Sequence, residues 1–267
     1  MAKLSISNAW DESRATIGRN GSLLTTVALA MFVLPGVVSE LVTPDAPPGH
    51  IPPLGGWTVV ALIAVLVALV GQLAVIRLAI GSGPTVGEAI GHGARRAPVY
   101  FLATLIWILP FLLVGAVLFG MIGRDPENAS PGAIVALLVL ACVMLFFAIR
   151  MLMTSPVATA ESLGPVGIVR RSWQLTAGNG LRLFVFFLLF IIVLVIAAMA
   201  IGTIAGVIAE LLLGGTQPMS VGALFVALVT QLVSAAVSVT LMVMLARIYV
   251  QLAGEGAAEA SVPTSGS

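Results

Sequence analysis

Few side chains in this 267-residue chain are equipped for chemistry: two histidines, one cysteine, eleven carboxylates and twelve basic residues, all arginine except Lys3. Metal-assisted hydrolysis needs several carboxylates, usually with histidines, converging on one ion. His50 lies in "TPDAPPGHIPPLGG" and His92 in "AIGHGARR", with an apolar stretch from 57 to 80 between them. If that stretch crosses a membrane, the two imidazoles stand on opposite sides and cannot share a site. His50 has Glu40, Asp45, Asp125, Glu127 and Glu210 on its own side, but their spacing matches no metal signature. Solvated loop charges are the expected reading. Nucleophilic catalysis fares no better: there is no G-x-S-x-G elbow. "GSG" (81–83) and "GNG" (178–180) share only glycine content with phosphate-cradling loops. No catalytic residue, metal site or cofactor is expected, and the chain reads as a non-enzyme.

The arginines remain. Arg77, Arg150 and Arg247 each close an apolar stretch ("AVIRLAI", "FAIRMLM", "MLARIYV"), and Arg95, Arg96, Arg170 and Arg171 fall in the segments between such stretches. A cation at a helix end can simply snorkel to the interface and fix topology. The sharper expectation is that these arginines, with Trp173, form basic pockets for anionic lipid headgroups. Each cation near an anionic surface contributes about 1 kcal/mol, so several together can retain a lipid.

The elements that must position these residues are hydrophobic. Apolar residues make up 60% of the chain and charged residues 9%, against about 25% charged in a soluble domain. Spanning the hydrocarbon takes about 20 apolar residues in helical form. Stretches at 22–42, 57–80, 98–122, 132–155, 183–212 and 219–250 qualify, and none alternates as a barrel strand would. The sequence predicts an all-α integral membrane fold of six transmembrane helices, the last two long enough to tilt. About twenty residues, including Asp11 and Glu12, precede the first stretch, which argues against a cleaved signal. Basic residues gather on one side, with Arg124 alone on the other. Both termini are therefore expected in the cytoplasm. The arginine bias, with abundant Ala, Gly and Pro, points to a GC-rich bacterial genome.

Internal repetition is expected as well. Amphipathic segments begin near Leu4, Thr85 and Val166, each followed by an outward and an inward helix, giving three hairpin repeats at about 4–80, 85–155 and 166–253 of one membrane domain, 1–253. In "GPVGIVRRSWQLTAGNG", Val166, Val169, Trp173 and Ala177 share one helical face beside Arg170 and Arg171, as in a helix lying at the headgroup boundary. Cys142 reads as a small buried hydrophobe. Gln72 and Gln231 are the deepest polar side chains, explained by interhelical hydrogen bonds, and no ionisable residue lies near the midplane to couple ions. Ala198, Gly202 and Gly206 step by four, which lets a helix of this chain, another copy or a partner protein come close. The tail 254–267 reads as disordered, and no nucleic-acid partner is expected.

"ESLGPVGIVRRSWQLTAGNG" and "RIYVQLAG" resemble the membrane domain associated with glycerophosphoryl diester phosphodiesterases and the YciC-type bacterial inner-membrane proteins. The resemblance covers most of the chain and is sharpest at 161–180 and 247–254. It implies a six-helix inner-membrane domain with no established activity of its own, since the hydrolase of that family is a separate soluble domain. Two functions follow as expectations: a non-catalytic protein binding anionic phospholipid or a membrane partner, or a permease for a lipid-derived or other small solute.

Overall fold

A computed structural model of the chain describes residues 5–44, 52–81, 83–122, 130–215, 217 and 220–260. Asp45, His50, Arg124, Asp125 and Glu127 lie outside them. The elements are α1 (Ile6–Ala28), a π-helical turn (Leu29–Val33), α2 (Leu34–Val42), α3 (Gly56–Ile80), α4 (Val86–Ile122), α5 (Pro131–Arg150), α6 (Thr154–Ala160), α7 (Pro165–Thr176), α8 (Gly180–Leu212) and α9 (Val221–Ala260). No strand occurs among the described residues. Six runs are long and apolar enough to cross a membrane: Ile6–Val42, Gly56–Ile80, Val86–Gly120, Pro131–Ala160, Gly180–Leu212 and Val221–Gly254. This is an all-α, multi-pass membrane protein.

The helices begin where capping chemistry allows rather than where hydrophobicity starts. Ser5 Oγ accepts from the Asn8 N–H, so α1 runs unbroken from Ile6 through the amphipathic segment into the first span. Thr85 and Glu88 cap each other's backbone N–H groups at 2.8 and 3.3 Å, and α4 likewise absorbs the second amphipathic segment. Only the third is a separate helix, because the chain breaks at 177–179, where Gly178 takes φ 81°. At the other end of the chain, α9 continues past Gly254 to Ala260, where the sequence reads as tail.

α3 is the central helix, packed by α1, α2, α4, α6 and α9, while α8 leans on α9 and α5 on α4. Its burial is continuous near the arginine end, from Leu73 through Ile76 and again at Leu78 and Ala79. α4 crosses there closely: a Cβ on Gly93 would stand 2.7 Å from the Val70 carbonyl oxygen. Large apolar side chains of the outer helices, such as Leu113, Phe119, Leu138 and Leu211, face outward, as lipid permits. Cys142 is one of these exposed residues, not a buried one. The sequence marks it as apolar, but which side of α5 faces a neighbour is decided by packing.

Two local features have no counterpart in the hydrophobic pattern. The π turn leaves the Leu34 N–H bonded to the Leu29 carbonyl, five residues back, immediately before Pro35, which has no N–H to give. The short helix α6, "TSPVATA", is buried at every position from Thr154 to Thr159.

Candidate functional site

The arginine-rich end is organised around α6. Its last carbonyls would be orphaned in an apolar setting. Arg96, from α4, satisfies them: Nε donates to the Ala158 carbonyl at 2.8 Å, and Nη2 to those of Glu161 (2.8 Å) and Leu163 (2.9 Å). His92, one turn earlier, has Nε2 at 2.9 Å from the Thr159 carbonyl. This is the planar guanidinium fork applied to a helix C-terminus. Glu161, the residue after α6, accepts on Oε1 from Arg171 Nε at 3.0 Å and from the Tyr249 hydroxyl at 2.9 Å. Arg247 Nη2 donates to the Ala79 carbonyl at 2.6 Å, tying α9 to the end of α3.

Arg96, Arg171 and Arg247 are thus engaged by the protein itself, although Nε of Arg247 is buried and has no hydrogen-bond partner among the described residues. Arg95 and Arg170 are exposed, and Arg77 is half-buried in the last turn of α3. Sequence reasoning grouped all of these as one collar, but the structure divides them by what each guanidinium touches.

Arg150 differs from all of them. Its backbone carbonyl accepts from Ser172 Oγ (2.8 Å) and Thr176 Oγ1 (3.3 Å), which docks α7 against the end of α5. Its guanidinium carbon stands 5.1 Å from the Trp173 ring centre and 5.5 Å from that of Phe146, within cation–π range. Nη1 is buried and has no hydrogen-bond partner among the described residues. That side chain lines a cavity of about 530 Å³, with Cys142, Leu145, Phe146 and Phe184 as apolar walls and Gly178 and Gly180 at its rim. α8 starts at Gly180 without a side-chain cap. An unpartnered cation beside an apolar groove suits an amphiphile with a negative head.

α7 is a helix, as the pattern predicts, and Val166 and Trp173 do look outward, 68% and 37% exposed. The correction concerns its other face. Ile168, Ser172, Leu175 and Thr176 are buried against the protein, so α7 is wedged between protein and surroundings. Ser172 and Thr176 read as polar in sequence, yet their hydroxyls find a backbone acceptor and can be buried.

Among the described residues, nothing packs closely on the stripe Ala198, Gly202 and Gly206. Ala198 is exposed, and a Cβ on Gly202 or Gly206 would find open space. The neighbouring pair Ala205 and Ala209 carries the contact instead, 2% and 0% exposed.

A model of the family described as a domain of unknown function, DUF7847, matches residues 4–252. The chain belongs to that family. The DUF7847 match takes in every span and the whole α6–α7 hub, so the hub is part of the domain and not an appendage. No curated protein matches this DUF7847 chain, and no solved structure does.

Glu161, His92 and Tyr249 are the hub residues that pattern reasoning missed. One signal was available: Glu161 is the sole carboxylate between Glu127 and Glu210, embedded among arginines. Among the described residues no group of three His, Cys, Asp or Glu is placed to hold a metal ion.

Proposed function

We propose that this protein is a non-catalytic component of a bacterial inner membrane, with its arginine-rich end in the cytoplasm, and that it retains an anionic phospholipid there. The observation that carries the reading is Arg150: its side chain lines an apolar-sided cavity, and one N–H group of its guanidinium has no hydrogen-bond partner among the described residues. The phosphate would take that N–H and the acyl chains would lie along Phe146 and Phe184. Arg96, Arg171 and Arg247 hold the fold, and the exposed Arg95 and Arg170 add general attraction to an anionic surface. The resemblance of 161–180 and 247–254 to a phosphodiesterase-associated membrane domain supports the same reading, because that domain has no established activity of its own.

Arg150→Gln tests it. Native mass spectrometry of the detergent-purified protein, incubated with equal phosphatidylglycerol and phosphatidylcholine, should find phosphatidylglycerol enriched on the parent. The variant should retain about fivefold less, the equivalent of about 1 kcal/mol. Equal retention by both proteins would dismiss the site. A permease for a lipid-derived solute is the second reading, favoured by a polar cleft at the opposite end near Glu40 and Gln231. It ranks lower because Val33, Val37, Ala74, Val75 and Val243 belong to a buried apolar cluster in the same elements that wall the cleft. Glycerophosphodiester uptake into proteoliposomes would reverse that ranking.

A further inference from the structure

The cleft at the end away from the arginines has a chemistry of its own. It encloses about 560 Å³ between the π turn with α2, α3 and α9, and its polar groups are Ser39, Glu40, Thr43, Gln231, Ser234 and Ser238. Met31, Phe32 and Ala64 supply apolar walls. Gln231 Nε2 donates to Glu40 Oε2 at 3.1 Å. That bond fixes the carboxylate without neutralising it. Ser39 Oγ, on the neighbouring residue, is buried and has no hydrogen-bond partner among the described residues. Gly36 makes the arrangement possible, since a Cβ there would collide with the Gln231 amide.

Among the described residues the lining is rich in acceptors, carries one carboxylate, and contains no arginine, lysine or histidine. Its ligand should therefore be a cation. A divalent metal is a poor match, because it would call for several charged oxygen ligands and the described lining has a single carboxylate. A monovalent ammonium with N–H groups fits better: it can donate to the carboxylate and a hydroxyl together while its carbon chain contacts Met31 and Phe32. We propose that this cleft binds a primary ammonium group, with Glu40 as counter-charge and Ser39 as a neutral acceptor. The group can belong to a free amine or to the headgroup of an aminophospholipid. The site uses none of the residues at the arginine end, so it stands or falls independently of the Arg150 reading.

The test is thermal unfolding of the full-length protein in detergent, titrated with n-butylammonium chloride, and with tetramethylammonium chloride at matched ionic strength. A parallel arm compares nanodiscs of phosphatidylethanolamine with nanodiscs of phosphatidylcholine. A saturable rise in melting temperature with butylammonium assigns a free amine, and stabilisation by phosphatidylethanolamine alone assigns the lipid headgroup. Glu40→Gln should weaken the effective probe about tenfold or more. Ser39→Ala, which leaves the carboxylate–amide bond intact, should weaken it less, and it provides the readout if Glu40→Gln does not fold. No stabilisation in either arm overturns the proposal. So does equal stabilisation by tetramethylammonium, which has no N–H, or an unchanged response in both variants.

Discussion

The two ends of the bundle use polar side chains in opposite ways. At the arginine end, guanidiniums from α4, α7 and α9 are bonded to backbone carbonyls or to Glu161, and a buried apolar cluster including Met153, Val157, Ile168 and Ile248 surrounds them. At the far end, Glu40 and Gln231 share one hydrogen bond across a cleft, with an idle serine hydroxyl alongside. The difference teaches that polar density alone does not mark a binding site in a membrane protein. What matters is whether the groups are already satisfied. By that criterion the crowded Arg96 network is scaffold, while Arg150 at one end and Ser39 beside Glu40 at the other line cavities and keep capacity left over.

The largest effect that could break this contrast is at Arg96. Arg96→Ala would leave three carbonyls without their charged donor, a loss on the order of 3 kcal/mol or more. Size-exclusion profiles in detergent should show little monodisperse protein, and Arg96→Lys should not restore it, because an ammonium cannot fork across three acceptors. If Arg96→Ala unfolds no more easily than the parent, the hub is not scaffold. Next comes Tyr249→Phe, which removes one hydrogen bond to Glu161 while keeping the ring; about 1 kcal/mol should be lost, read as a modest drop in melting temperature. The smallest effect is expected at Gln231→Leu, near 0.6 kcal/mol, the mean for interhelical hydrogen bonds in membranes. A loss at Gln231 as large as that at Arg96 would show the far end to be scaffold too.

Much of the architecture was legible from composition and run length. Six spans follow from hydrocarbon thickness and helical rise, and that constraint acts on each helix separately. What was not legible depends on pairing. The pattern assigned Ser172 and Thr176 no role, whereas both hydroxyls reach the Arg150 carbonyl and are buried. It could not see α6, because "TSPVATA" is too short and mixed to announce a helix, and its burial depends on Arg96 arriving from another helix. The arginines were found as a set, but which was free depended on carbonyls that carry no sequence signature. Cys142 was misjudged for the same reason: periodicity identifies a face without naming what lies opposite.

The π turn at Leu29–Val33 has a consequence for how the first span tolerates change. One residue is accommodated there beyond the α-helical count, and each residue of an α-helix advances the azimuth by about 100°. The turn therefore acts as a phase setter: closing it into regular α-helix with every residue kept would swing everything from Pro35 to Thr43 about a quarter-turn around the axis. Glu40 would then point away from α9. Losing the wide turn, a change harmless to membrane crossing, would erase the cleft.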